Sequence, residues 1–176
     1  PDFVACSVHK WLLSPYGMSL AYLHPKHHST WQPIDYHERN RSGSHSKQWD
    51  ELGAMQSYGY PSLLPSSAAR VNMGGRPPPI SLPMISAALS TVLEYNPMHI
   101  QSYLRFLTDI LANALSKVPA SFGISLIPQA QRCGHILGVR FSSEIFTPHV
   151  GRLLKQQNIH VSVRSNALRI APYVYN

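Results

Sequence analysis

A serine, a histidine and a lysine lie close together near the start of the chain, in the segment Ser7-Val8-His9-Lys10. A lysine amine attacks a carbonyl carbon when it is neutral, and burial or nearby cations favour the neutral form. In an extended segment Ser7 and His9 point to the same side, and a hydroxyl and an imidazole together suit a phosphate. The spacing predicts a Schiff-base lysine beside two phosphate ligands; the alternative is a solvated lysine at a strand end.

Two short strands and a turn are expected to position these residues. The apolar run in residues 2–8 predicts a short buried strand, and Met18 to Leu23 predicts a second one. Between them Ser14-Pro15-Tyr16-Gly17 is a turn signal. Residues 25–82 are rich in Ser, Pro, Gly, His and Arg, and their poor periodicity predicts irregular structure.

Beyond residue 82 the pattern changes to long helices and then to short alternating elements. The first helix is expected from about Pro83 to Glu94, and the second from Pro97 to Val118, with Asn96 as its N-cap. Further strands are predicted over 122–127, 135–141, 159–163 and 167–171, with a helix opening at Thr147-Pro148. The change in pattern predicts a domain boundary near residue 119.

The composition narrows the class of protein. The chain has 176 residues, 44% of them hydrophobic, with a formal net charge of +7 and a pI near 9.7. Its basic residues are scattered, with only Arg39 and Arg41 close together, which does not favour nucleic-acid binding. No run of 18 apolar residues is present, so no membrane span is predicted.

The sequence assigns no chemistry to its two cysteines or to a cluster of three histidines. Cys6 and Cys133 stand in apolar surroundings without metal-ligand spacing, which predicts two buried thiols. For Cys133 a buried position disfavours the role of a desulfurase nucleophile. His24, His27 and His28 have no carboxylate or thiol beside them in the sequence, so no metal site is predicted.

The lysine segment resembles a known family. The pattern Asp2…Ser7-x-His9-Lys10, followed by Pro15-x-Gly17, is similar to the lysine segment of class V aminotransferases, which include cysteine desulfurases and isopenicillin N epimerase-like proteins. The resemblance implies pyridoxal 5'-phosphate (PLP) as cofactor. It also implies that Lys10 forms the internal aldimine and that Ser7 and His9 bind the phosphate.

A second match lies at the other end of the chain. The segment from Ala167 to Asn176 resembles the family's C-terminal strand, in which an arginine is followed by a Tyr-Asn pair. The resemblance implies that Arg169 binds the substrate carboxylate. Strand alternation agrees, because Leu168 and Ile170 share one face and Arg169 points to the other. A guanidinium suits a carboxylate since its fork forms two parallel hydrogen bonds; the alternative is a solvated strand arginine.

A third match covers Asn40-Arg41-Ser42-Gly43-Ser44 and Arg70 to Arg76, which resemble poorly characterised class V proteins. In desulfurases a Gly-Thr pair in the segment that corresponds to Arg70–Arg76 contacts the phosphate of the partner subunit. Here Gly75 and Pro77-Pro78-Pro79 depart from that pattern. What remains expected is that the backbone of Gly74 lies close to an anion.

The resemblance implies an α/β fold: the distal part of the large domain of a PLP-dependent transferase of fold type I in residues 1–118, and a small C-terminal α+β domain in 119–176. Both ends look cut, so a fragment is expected, with the family's ring-stacking aromatic and pyridine-pairing acid upstream. The implied function is transamination, epimerisation or lyase chemistry on an amino acid by a cytoplasmic homodimer that binds neither nucleic acid nor membrane. The alternative is a truncated, non-catalytic remnant.

Overall fold

A computed structural model of the chain describes residues 1–37, 40–42, 63–75, 78–143 and 146–176. They form two compact units, Pro1–Glu94 and Tyr95–Asn176. The first contains a two-stranded sheet and the second a four-stranded sheet. Several residues used in the sequence predictions lie outside the described residues: Arg39, Gly43, Ser44, Arg76 and Pro77.

The sheet of the first unit is an antiparallel hairpin of β1 (Phe3–Ser7) and β2 (Ser19–Leu23). Ser7 pairs with Ser19 at the end where the lysine loop, residues 8–18, begins and ends. The predicted strands are confirmed, but the prediction that the first is buried is wrong. Phe3 and Val4 are 45% and 46% exposed, because a two-stranded sheet provides no second layer to cover its faces.

Helix α1 (Ser81–Glu94) closes the first unit, and α2 (Pro97–Leu115) opens the second. The predicted N-cap is confirmed, since the Asn96 side-chain oxygen accepts a hydrogen bond from the Met98 amide at 3.0 Å. Helix α2 ends at Leu115 instead of near 118. There the chain passes into turns, with the Lys117 amide donating to the Ala114 carbonyl at 3.2 Å.

The second unit surrounds an antiparallel sheet in the order β3-β4-β6-β5. Its elements are β3 (Ile124–Leu126), β4 (Leu137–Phe141), α3 (Phe146–Gln156), β5 (Ser162–Arg164) and β6 (Ala167–Ile170). Alternate residues of β4 and Leu168 of β6 meet Ala112 of α2 in one hydrophobic core. This α+β alternation matches the sequence prediction, but the strand predicted over 159–163 is observed at Ser162–Arg164.

Helix α2 belongs to the second unit because Ala112 lies in its core and Leu111 and Leu115 pack against that core. The compact units therefore divide at residues 94 and 95. The assignment of residues 1–118 to a large domain and 119–176 to a small one stays a prediction.

Both cysteines are exposed, so the prediction of two buried thiols is wrong. Cys6 lies on β1, whose faces are uncovered, and Cys133 lies in the loop before β4. The Cys133 thiol contacts the Ile136 carbonyl at 3.8 Å. An apolar neighbourhood in sequence did not become burial at either cysteine.

None of the described helices is long and apolar enough to cross a membrane.

Candidate functional site

The loop that follows β1 is a tight turn closed by two backbone hydrogen bonds. The Leu13 amide donates to the Lys10 carbonyl and the Ser14 amide to the Val8 carbonyl, both at 3.1 Å. Val8 is fully buried and Ser14 is 8% exposed, whereas Lys10 is exposed. The turn is thus anchored at its two ends and presents Lys10 outward. Leu13 has a φ of 55°, a left-handed conformation that a non-glycine residue adopts only under constraint.

Ser7 and His9 flank the buried Val8, and both are half-buried. The His9 ring stacks on the ring of Tyr16, with centroids 4.1 Å apart and planes inclined by 19°. Tyr16 reaches this position because Gly17 reverses the chain with a φ of 103°, a value that favours glycine. The loop therefore holds one face of the imidazole against the Tyr16 ring, and His9 as a whole stays half-buried.

A buried hydroxyl lies in the same loop. Ser14 Oγ is inaccessible and has no hydrogen-bond partner within the described part of the chain. Buried hydroxyls are normally paired, since an unpaired one costs about 1–3 kcal/mol. Such orphaned groups concentrate where a ligand or a bound water completes the structure. Ser14 was not predicted as a site residue; its place before Pro15 indicated only a turn.

The residues of this loop fit PLP by their chemistry. A dianionic phosphate needs several donors in a small volume, and Ser7 and His9 supply a hydroxyl and an imidazole N–H. The hydroxyl of Ser14 lies in the same loop but is inaccessible, so it is not counted among these donors. Lys10 supplies a primary amine at an accessible position, which the aldehyde of the cofactor requires. The roles of Ser7, His9 and Lys10 stay predictions.

Arg169 lies in β6, where it is exposed while Leu168 beside it is 3% exposed. The alternation places the two side chains on opposite faces of the sheet, as the sequence pattern predicts. Arg169 pairs with Gly138 on β4 and with Ser162 on β5. Because Gly138 has no side chain, the face beside the guanidinium is open on that side. Its role as a carboxylate ligand stays a prediction.

The segment after Arg169 folds back on itself. The Tyr173 amide donates to the Asn176 side-chain oxygen at 2.8 Å, and the Asn176 amide donates to the Tyr173 carbonyl. Tyr173 is 5% exposed, and burial raises the pKa of its phenol. The Tyr103 hydroxyl of α2 donates to the Asn176 carbonyl at 2.8 Å. The Tyr175-Asn176 pair of the resemblance is thus part of a turn that contacts α2.

The backbone of Gly74 does lie close to an anion, and that anion is internal. The Gly74 amide donates to the carboxylate of Asp35 at 2.9 Å. A side chain at Gly74 would collide with His37 and with this carboxylate. Asn40 is buried and donates to the carbonyls of Asp35 and Asn72 at 3.1 and 2.5 Å. These residues join two segments of the first unit, and their chemistry is structural.

The histidines after β2 have internal partners. His28 Nε2 contacts the Leu23 carbonyl at 2.9 Å, and His27 Nε2 contacts Asp2 Oδ1 at 3.1 Å. No carboxylate lies beside these histidines in the sequence, but hairpin pairing brings Asp2 close to His27 in space. Among the described residues, no group of three His, Cys, Asp or Glu side chains is placed to hold a metal ion.

Comparison with known proteins places the fold. No family model and no curated protein matches the chain. A solved complex of the cystine C-S lyase C-DES with its reaction product cysteine persulfide matches with a TM-score of 0.72 and 15% identity, covering 98% of this chain and 42% of that one. A C-DES mutant with glycine covalently linked to its PLP cofactor matches with a TM-score of 0.69 and 13% identity, covering 98% and 41%. A NifS-like protein matches with a TM-score of 0.57 and 17% identity, covering 99% and 42%.

The chain has the fold of these proteins. The predicted α/β fold class is therefore confirmed, since nearly the whole chain matches a part of the fold of these structures. The chain spans about two fifths of the length of each structure it matches. At this identity the likeness concerns the fold, and the chemistry has to be argued from the loop around Lys10.

Proposed function

We propose that this chain is part of a PLP-dependent enzyme that acts on an amino acid, and that Lys10 bonds to the cofactor. The observation that carries the proposal is the closed turn of residues 8–14, which presents an accessible Lys10 amine in a loop that also holds the half-buried His9, directly after the half-buried Ser7. The fold shared with C-DES, whose mutant holds PLP, supports the same reading.

Each residue of the loop has a distinct task in this proposal. Ser7 and His9 donate hydrogen bonds to the phosphate and so fix the position of the cofactor. Lys10 supplies the amine that bonds to its aldehyde carbon. When bound, PLP serves as an electron sink for the negative charge that develops at the substrate α-carbon. With the substrate held at the cofactor, the free Lys10 amine would accept the proton from the substrate α-carbon or return it.

Arg169 is proposed to bind the substrate carboxylate. The open face beside Gly138 leaves room for a ligand next to the guanidinium. The unit Tyr95–Asn176 carries eight Lys and Arg residues against two Asp and Glu, and such an excess favours contact with an anionic group, here the carboxylate of the zwitterionic amino acid. A homodimer is proposed for the intact protein, on the resemblance alone.

The reaction class to test first is C–S bond cleavage, because C-DES is described as a cystine C-S lyase. Transamination and epimerisation use the same lysine and the same carboxylate ligand, so they are the next reactions to assay. Cys133 is exposed in a loop, which removes the burial argument against it as a nucleophile, but a lone exposed thiol assigns no desulfurase role. The alternative is that the chain is a truncated, non-catalytic remnant of such an enzyme.

The decisive experiment traps the cofactor on the lysine. The full-length protein is incubated with PLP, reduced with borohydride, digested and analysed by mass spectrometry. We expect a reduced pyridoxyl group on Lys10 and an absorbance band near visible wavelengths that disappears on reduction. Lys10→Ala should lose both, whereas Lys26→Ala, an exposed lysine of the same unit, should retain both. An unmodified Lys10 peptide in the wild type would overturn the proposal and favour the remnant.

The role of Arg169 is tested separately by kinetics. Arg169→Lys keeps the charge but loses the paired hydrogen bonds of the guanidinium, so KM for the amino acid should rise by about tenfold or more. Arg164→Lys is the matched control, because Arg164 is an exposed arginine on the neighbouring strand β5. An unchanged kcat/KM in Arg169→Lys for every amino acid tested would reject the carboxylate role.

A further inference from the structure

The stacked pair of His9 and Tyr16 goes beyond the residues that the lysine pattern identifies. Tyr16 lies between Pro15 and Gly17 in the predicted turn, and its ring reaches back over the loop to His9. The centroid distance of 4.1 Å and the inclination of 19° define a parallel stack. Such aromatic pairs contribute about 0.5–1.5 kcal/mol beyond simple burial.

We infer that Tyr16 is a positioning residue, which fixes the plane of the His9 ring so that its N–H donor is aimed at the cofactor phosphate. This inference rests on the proposed function. The donor nitrogens of an imidazole lie in the plane of the ring, and hydrogen bonds weaken steeply when the donor is misaligned. A ring held on one face by stacking loses little further freedom when the phosphate binds, which raises affinity by preorganisation.

The high exposure of Tyr16 distinguishes a role in positioning His9 from a role in packing the hydrophobic core. Tyr16 is 79% exposed, so its ring buries little apolar surface, and its removal should lower the free energy of unfolding by no more than about 1.5 kcal/mol, the contribution of the stack itself. Val8 and Ser14 anchor the loop independently through their backbone hydrogen bond. An effect of Tyr16 on cofactor binding would therefore act through His9 and not through collapse of the loop.

The test compares two forms of the cofactor, PLP and pyridoxal, which lacks the phosphate. Binding of each to the full-length protein is measured by absorbance titration, with denaturant unfolding as the stability control. Tyr16→Ala should weaken PLP binding by about five- to tenfold and leave pyridoxal binding unchanged. Tyr16→Phe keeps the ring and should restore PLP affinity. In a His9→Ala background, Tyr16→Ala should have no further effect, because the two residues act as one unit.

The outcomes distinguish this inference from the proposed function. If the wild type places PLP on Lys10 but Tyr16→Ala leaves the ratio of PLP to pyridoxal affinity unchanged, the positioning role is rejected and the proposed function stands. An equal loss for both ligands would likewise reject it, since Tyr16 would then support the loop or contact the cofactor ring. If the wild type carries no PLP on Lys10, the proposed function and the positioning role fail together.

Discussion

The two units of the chain bury their strands to very different degrees. In the unit Tyr95–Asn176, Leu137 and Val139 of β4 are at most 2% exposed and share a core with Leu168 and Ala112. In the unit Pro1–Glu94, most residues of β1 and β2 are exposed; within these two strands only Leu23 is buried, at 2% exposure. The packed sheet of the unit Tyr95–Asn176 stabilises a fold, whereas the exposed hairpin of the unit Pro1–Glu94 carries an anchored loop at its end.

The difference teaches that strand formation and strand burial are separate properties. Both β1 and β4 are apolar runs, and both are strands as the sequence predicts. Burial requires a second layer: β4 has α2 and three other strands around it, while β1 has β2 alone. The exposed apolar residues of the hairpin are available for contacts with other parts of a polypeptide, and those contacts cannot be inferred from local pattern.

The largest expected effect compares the two regions directly. Leu137→Ala removes a side chain that is wholly buried in the core and should lower the free energy of unfolding by about 3 kcal/mol. Val4→Ala, on the exposed hairpin, should lower it by less than about 1 kcal/mol. Urea unfolding measures both. Equal losses would break the comparison, because they would mean that the hairpin is covered in solution.

The second expected effect concerns the ion pair that ties the loop before β4 to α2. Arg132 donates to Asp109 Oδ1, and Gln129 donates to Asp109 Oδ2, both at 2.8 Å. The Arg132 side chain is only 12% exposed, so removing its partner leaves a poorly solvated charge. Asp109→Ala should cost about 2 kcal/mol. The double variant with Arg132→Met should recover part of this loss in urea unfolding, and an additive loss would contradict the coupling.

The sequence predicts features that depend on neighbouring residues, but it does not predict features that depend on residues distant in sequence. The alternation of Leu137, Val139 and Phe141 and the cap at Asn96 are local signals, and the structure confirms both. The exposure of Cys6, the contact of Asp2 with His27 and the internal anion at Gly74 each depend on residues distant in sequence. The stack of Tyr16 on His9 was not predicted for the same reason. The Pro-Tyr-Gly sequence indicates a turn, but it does not indicate that the Tyr16 ring contacts the His9 ring.

A smaller effect is expected from the two unpaired buried hydroxyls, one in each unit. Thr147 in α3 is fully buried and its hydroxyl has no partner in the described part of the chain. Thr147→Val keeps the shape and should raise stability by about 1 kcal/mol. Ser14→Ala should raise the stability of the cofactor-free protein in the same direction. If Ser14 donates to a bound cofactor, the same variant should weaken PLP binding, which equilibrium titration would show; Thr147→Val is the control.

The smallest expected effect is electrostatic and lies at the exposed end of the hairpin. Hydrogen bonds from Lys26, and next from His27, lower the pKa of Asp2 from its ordinary value of 3.8. A lowered folded-state pKa means that the pair stabilises the fold above pH 3.8, and that this contribution is lost as pH falls through the folded-state value. Lys26→Met should therefore raise the pKa of Asp2, whereas Lys26→Arg should keep it low.

Carboxyl resonances of Asp2 followed by NMR through an acid titration measure this directly. The Asp2 side chain is 59% exposed, so added salt should shrink the difference between Lys26→Met and the wild type. An Asp2 pKa that is the same in both proteins at low salt would show that the ion pair does not form in solution. The hairpin end would then be held by the His27 contact with the Asp2 carboxylate and by the backbone hydrogen bond from His24 to Asp2, and the contrast with the tightly packed second unit would be larger.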